Sequence, residues 1–395
     1  MPTDDSPRGR GLLPLLRAVV DGDSRCGIDI IEPLSVNAVV EGGFGPALAW
    51  VTREGTQTPC AGHMSAAGAD PAVVLHAADL TARLITGALL EAVGDLMAAS
   101  RSAGCSPVLL KGCAAAIQFY PVPHLRTMGD IDLLVSPDEY ATVAALLRDL
   151  GFEQRRQQSA IALDYRTHHH DMPFWHARRR LWVEVHTRLF PAHSPLAGEG
   201  RFALDAIEPL LVTRHIGQQP VRVMTPEMQL LYTSARWAES LNRQRGAFPV
   251  LDVALLLRRT SATLDWDAIH RTAGDSWAAA SLALLMHCLD RWRLTGSPTR
   301  RSAVLPKSLA ETARLAALHR LATTYVMERG APRRILTSRN LRSVWAAMVR
   351  PRAAWRNLIA VPLAVAFPPG ADRFSLARAI RRAASVLRER KEMNS

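Results

Sequence analysis

The chain has 395 residues of which 48% are hydrophobic, long enough for two domains and apolar enough for a sizeable core, which excludes a disordered or fibrous protein. Lys and Arg number 48 against 36 acids, a formal charge of +12 that favours an anionic partner without choosing among nucleotide, nucleic acid, phosphorylated substrate and membrane surface. Five cysteines (Cys26, Cys60, Cys105, Cys113, Cys288) lack CxxC spacing, so no disulfide framework or structural zinc site follows and a reducing cytoplasm is expected.

Residues 1–10, polar with Pro and Gly, are predicted to be disordered. Leu12–Val20 and Ala47–Val51 read as short helices, with glycine-rich breakers at 42–46 and 55–62. Pro14 and Arg17 interrupt the first, so it does not read as a signal peptide. No run approaches the roughly 20 apolar residues that span a bilayer, and no transmembrane segment is expected.

From Asp70 the pattern sharpens. Asp70 suits an N-cap and Pro71 a first helical position. Val74, Leu75, Leu80, Leu84, Leu89, Leu90, Val93 and Met97 then recur at helical spacing as far as Ser102. Gly104 ends that helix and a strand runs to Lys111. Ala114–Tyr120 is predicted to be a short helix stopped by Pro121 and Pro123. Ser136, Pro137 and Glu139 have the spacing of a capping box, opening a helix to about Leu150. Gly151-Phe152-Glu153 turns into another strand, and 181–187 reads as one more. After residue 225 the chain reads as helical. Residues 329–356 are strongly basic, and 374–391 form an Arg-rich amphipathic helix suited to nucleic acid, anionic lipid or plain solvent. The tryptophans from Trp175 onward (Trp175, Trp182, Trp237, Trp266, Trp277, Trp292, Trp345, Trp355) are expected in cores and helix contacts.

These elements predict an α+β fold: a small mixed β-sheet with flanking helices, followed by a mostly helical C-terminal region. The expected divisions are 1–70, a sheet domain at 71–220, a helical domain at 221–330, and a basic helical region at 331–395.

The chemistry concentrates in Val108-Leu109-Leu110-Lys111-Gly112 and Met128-Gly129-Asp130-Ile131-Asp132-Leu133-Leu134-Val135. Side chains alternate along a strand, so Asp130 and Asp132 share one face while Ile131, Leu133 and Val135 anchor the other. Two carboxylates side by side need a positive partner, and a divalent metal is the common solution. Downstream, Leu181-Trp182-Val183-Glu184-Val185-His186 places Glu184 and His186 on one face. Gly112 fits a turn where backbone amides approach a phosphate at a helix N-terminus. Lys111 and Arg126 supply cations within reach of a phosphate. The plainer alternatives are a solvated strand end for the Asp pair and an ion pair with Arg179 or Arg180 for Glu184.

Together these segments resemble the DNA polymerase β-like nucleotidyltransferase superfamily, and more narrowly the bacterial uncharacterised nucleotidyltransferase family, which is also similar to nucleotidyltransferase toxins of abortive-infection systems. The resemblance rests on Leu110–Ala115, Tyr120-Pro121, Arg126, Asp130–Val135, Gly151-Phe152 and Val183–His186, with Thr225-Pro226-Glu227 and Leu251–Leu256 in the helical half. It spans roughly residues 75 to 290. It implies transfer of an NMP from an NTP to a hydroxyl or phosphate of an acceptor that is a small biosynthetic product, a peptide or a tRNA. It also implies Mg2+, with Mn2+ an option, in a two-ion site held by Asp130, Asp132 and Glu184, the last able to accept the proton of the attacking hydroxyl. Lys111, Gly112, Arg126 and His186 would bind the nucleotide. Lys111-Gly112 stands where the superfamily has Gly-Ser, so phosphate contacts do not carry over from other branches.

Two rival readings remain open. His168, His170, Glu184 and His186 offer imidazole and carboxylate ligands to zinc. A catalytically silent scaffold that binds nucleotide or nucleic acid through its basic C-terminal half would explain the charge alone.

Overall fold

Alternation along two apolar strands organises the structure, a computed structural model that describes residues 12–22, 36–54, 70–155, 169–192, 194–239, 247–274 and 276–295, with Leu315, His319, Ala322 and Thr323. The expectations for residues 1–10, the 55–62 breaker, His168, Trp345, Trp355 and the basic stretches at 329–356 and 374–391 lie outside the described residues.

Seven strands form one mixed sheet: β1 (Val108–Leu109), β2 (Asp130–Leu134), β3 (Glu153–Gln154), β4 (Phe174–His176), β5 (Leu181–His186), β6 (Leu211–Ile216) and β7 (Gln219–Met224), in the order β3-β4-β5-β2-β1-β7-β6. The central pair, β2 and β5, is parallel, and β1 runs antiparallel to β2. Ile131, Leu133, Val183, Val185, Val221 and Val223 face one side and pack on α4 (Pro71–Ser102) through Leu89, Val93 and Leu96. α5 (Lys111–Phe119) and α6 (Tyr140–Asp149) join that layer. On the opposite face, Val108, Leu134 and Met224 pack on Phe190, Phe202 and Tyr232.

The expected helix signals act locally. Asp70 Oδ1 accepts from Ala72 N at 2.9 Å. Ser136 and Glu139 bond reciprocally, Glu139 N to Ser136 Oγ at 3.2 Å and Ser136 N to Glu139 Oε2 at 3.1 Å, although the regular helix starts only at Tyr140. Thr225 accepts from Met228 N, with Pro226 opening α8 (Pro226–Glu239) after α7 (Leu204–Ile207).

Helices α1 (Leu13–Asp21), α2 (Val36–Glu41) and α3 (Gly45–Glu54) share one core with α8, α9 (Ala247–Thr260), α10 (Trp266–Ala273) and α11 (Trp277–Arg291). Leu15, Leu16 and Leu48 from the N-terminal segment meet Leu230, Trp237, Leu251 and Leu285 there. Gly43 joins this layer to the sheet: with φ +83, it leaves no room for a Cβ, which would lie 2.7 Å from Thr127 Oγ1, and its carbonyl accepts from that hydroxyl at 3.0 Å.

Several elements differ from the sequence reading, which expected neither β4 nor α2. The β6–β7 hairpin is additional: Thr213, Arg214 and His215 are exposed, so β6 lacks the apolar alternation that marks a strand, and Pro220 argues against one. Of the tryptophans, Trp237 and Trp292 are buried and Trp266 and Trp277 pack on cores, but Trp175 and Trp182 belong to no core cluster among the described residues. Finally, α4 is long and apolar enough to cross a membrane by length and composition. Its Leu75, Leu89, Val93 and Leu96 are nonetheless buried against the rest of the chain.

Candidate active site

The parallel register of β2 and β5 sets Asp130 opposite Trp182, Asp132 opposite Glu184 and Leu134 opposite His186. Partners across a ladder project to the same face. Asp130, Asp132, Glu184 and His186 therefore converge on the face that meets α8. One oxygen each from Asp132 and Glu184 and one ring nitrogen of His186 lie within 4.8 Å of one another.

Lys111 occupies the middle of that set. It sits at the start of α5 in the left-handed region, φ +49, a conformation that costs a non-glycine residue about 1 kcal/mol. Its ammonium donates to Asp132 Oδ1 and, at 3.3 Å, to Glu184 Oε2, and lies 3.2 Å from His186 Nε2. His186 Nε2 is 2.9 Å from Asp132 Oδ1 and 3.6 Å from Glu184 Oε2, while His170 Nε2 is 3.6 Å from that same Glu184 oxygen. The lysine is thus an internal counter-ion for the carboxylates and is not free for a phosphate in this state. Glu184 pairs with these groups and not with Arg179, which bonds Asp95 at 2.7 Å.

Burial favours the neutral form of every acid here, and partners decide the outcome. For Glu184 burial pushes the carboxyl up, but Lys111, His186 and His170 hold it well below the usual range. Asp130 has no ion-pair partner among the described residues; burial, then Asp132 and Glu184, push it up to about 6. Burial alone would lower Lys111, yet Asp132 and Glu184 raise it. Burial also pushes His170 down.

Above the carboxylates opens a cleft of about 400 Å³ lined by Lys111, Gly112, Arg126, Asp130, Asp132 and Glu184 from the sheet side and by α8 and α9 from the other. The size suits a nucleotide-scale ligand. Gly112 lies in the first turn of α5, where a Cβ would come 3.2 Å from Met128 Cγ and 3.6 Å from Arg126 Cζ, so the glycine lets these side chains close over the helix start. His186 is fully buried beneath the cleft.

Arg126 differs from its expected role. Its guanidinium forms a fork with Asp252 (Nε to Oδ1 2.8 Å, Nη2 to Oδ2 3.2 Å), Tyr120 donates to the same carboxylate at 2.7 Å, and the Phe248 ring lies 4.4 Å away. Arg126 is a strut between sheet and helical layer, with its cation already matched.

Arg236, which the sequence reading missed, is a cleft cation with no carboxylate partner among the described residues; its guanidinium lies 5.6 Å from the centre of the Tyr232 ring. On α8, Gln229, Tyr232, Thr233 and Arg236 fall at positions i, i+3, i+4 and i+7 and line the cleft. Arg236 has no hydrogen bond or ion pair among the described residues, and Asp132, Glu184 and Asp130 all act to raise it against its burial. The Tyr232 hydroxyl and Gln229 Oε1 are buried without hydrogen-bond partners among the described residues. The available signal was the row of polar residues at i, i+3, i+4 and i+7 along α8.

These features sit within residues 46–293, which match the profile of a family described as an uncharacterised nucleotidyltransferase. The chain belongs to that family. The match covers more than half of the sequence, from α3 through α11, and makes the protein a transferase of phosphorus-containing groups. No curated protein and no solved structure matches it. Nucleotidyltransferases of this kind typically use divalent metals, and the Asp132–Glu184–His186 set offers oxygen and imidazole donors to one. Two members of the histidine rival, His170 and His186, do come beside Glu184, with ring centroids 5.1 Å apart.

Proposed function

We propose that the cleft binds an NTP with Mg2+ or Mn2+ and transfers its NMP to a hydroxyl or phosphate of an acceptor, within the DNA polymerase β-like superfamily. The observation that carries this reading is the juxtaposition, across one cleft, of the Asp132–Glu184–His186 donor set and Asp130 with Arg236, a guanidinium with no carboxylate partner among the described residues. The donors fit a divalent cation: three ligand atoms already surround a cation, the Lys111 ammonium. Asp132, Glu184 and His186 would hold one metal ion, and Asp130 would extend the set toward a second. Bound there, the metal supplies charge neutralisation for the α-phosphate and the leaving pyrophosphate.

The chain's own groups do the rest. Arg236 binds triphosphate oxygens, assisted by the Tyr232 hydroxyl, and Lys111 exchanges its carboxylate partners for a phosphate. The acceptor oxygen forms a bond to the α-phosphorus as the α–β P–O bond breaks and pyrophosphate leaves. When the acceptor is a hydroxyl, its proton passes to Asp130, the cleft carboxylate with no ion-pair partner among the described residues, whose affinity for a proton burial and the neighbouring Asp132 and Glu184 raise.

The test uses NTP labelled at the α- or the γ-phosphate, incubated with the protein, Mg2+ and a deproteinised cell extract as acceptor source. Label from the α position in a new product, with γ label released as pyrophosphate, is the expected result. Label from the γ position in the product would replace nucleotidyl with phosphoryl transfer.

A further inference from the structure

Two tryptophans stand beside the carboxylates and belong to no core cluster among the described residues. Trp182 is the register partner of Asp130 across β2 and β5, and Trp175 is the partner of Trp182 across β4 and β5. Both rings therefore lie on the face that carries Asp130, Asp132 and Glu184. Their centroids are 4.8 Å apart with planes inclined at 42°. Both are half-buried, neither packs on a core cluster, and neither indole N–H has a hydrogen-bond partner among the described residues.

The turn joining β4 to β5 adds charge at the same end of the strands. Arg179 bonds Asp95 and fixes the turn, while Arg178 and Arg180 are exposed without ion pairs among the described residues. The pair lies next to the cleft, one strand and two strands from Asp130, and on the flank of β2 away from β1 and β7. In-line displacement puts acceptor and pyrophosphate on opposite sides of the α-phosphorus. Arg236 and Tyr232 sit on α8, which packs over β1 and β7 on one flank of β2. Trp182 and Trp175 lie on β5 and β4, on the other flank.

We infer that the acceptor is the end of a single-stranded nucleic acid, its terminal bases stacked on Trp175 and Trp182 and its phosphates on Arg178 and Arg180. This rests on the nucleotidyl-transfer reading and names its acceptor class. Aromatic platforms beside unpaired cations are the general solution for single strands, because every base has a stacking face. A duplex end keeps its bases stacked and offers the platform little. The chain's net charge of +12 favours the same partner.

The experiment is fluorescence anisotropy of labelled single-stranded RNA and DNA of about 12 nucleotides, against blunt duplexes, with the full chain. The variants are Trp175→Leu, Trp182→Leu and Arg178→Ser/Arg180→Ser. Single strands should bind more tightly than duplexes, and each Trp variant should weaken binding at least tenfold. The arginine variant should reduce the slope of log K against log salt by about 1.4, for two phosphates at 0.7 each. Absent binding, equal binding by the Trp variants, or duplex binding as tight as single-strand binding would overturn the inference. Should a Trp variant fail to fold, the exposed arginine pair decides alone, an unchanged salt slope counting against it. The thermal shift with Mg·NTP is read in parallel: retained donor binding with no oligonucleotide binding rejects the acceptor class alone, whereas no shift in the parent rejects the donor reading.

Discussion

Asp132 and Glu184 stand directly opposite each other in the β2–β5 register, and the ammonium of Lys111 bonds both. The pairing follows from two apolar strands whose inward residues fix which face the acids take. The left-handed Lys111 at the head of α5 then brings its cation to the pair. Sheet register creates a like-charged couple, and one lysine bridges it.

Removing that lysine should expose the couple's cost. Lys111→Met leaves buried carboxylates without a matching charge, and in EDTA it should lower stability by about 3 kcal/mol, at the lower end for breaking a buried pair. Mg2+ or Mn2+ should then raise the variant's urea midpoint more than the parent's, since no ammonium competes. A variant as stable as the parent and indifferent to both metals would contradict the counter-ion role.

Asp130 carries a pH signature in the metal-free protein. Its carboxyl lies at about 6 in the fold against an ordinary value of 3.8, so between those values the folded state holds the extra proton. Stability from this group therefore falls as pH rises from about 4 to 6, and the full cost persists above 6. Asp130→Asn should raise the melting temperature in EDTA at pH 8 and leave it nearly unchanged at pH 4. An equal gain at both pH values would place the effect elsewhere.

The two guanidiniums of the cleft should separate cleanly. Arg126→Met strands Asp252 and should cost about 3–5 kcal/mol in urea unfolding. Arg236→Ala loses no ion pair among the described residues and should change stability by less than about 1 kcal/mol, while weakening Mg·NTP binding at least tenfold, which is about 1.4 kcal/mol. Loss of binding without loss of stability in an Arg126 variant would reverse the assignment.

The sheet strands that carry the acids were legible because local rules decide them: alternation around Asp130 and Asp132, the apolar run before Lys111, and the second alternating run at Glu184. Long α4 was legible from its cap and its periodicity. The β6–β7 hairpin was hidden because an edge strand with exposed Thr213, Arg214 and His215 needs no apolar pattern. Partner choice within the site was also hidden. Lys111 and Arg126 are both cations near a carboxylate motif, and only the register and the position of Asp252 on α9 assign one to the acids and the other to a strut. Arg236 lies more than a hundred residues from Asp130, and tertiary packing alone brings α8 over the sheet.

The most direct measurement is thermal stability with ATP, GTP, CTP and UTP, each with Mg2+ or Mn2+, for the parent and for Asp132→Asn. Binding to the folded state raises stability by about 2.7 kcal/mol at a hundredfold excess over Kd. The account predicts a metal-dependent shift with at least one nucleotide, lost in the variant. A shift that survives Asp132→Asn, or no shift with any nucleotide, would contradict it.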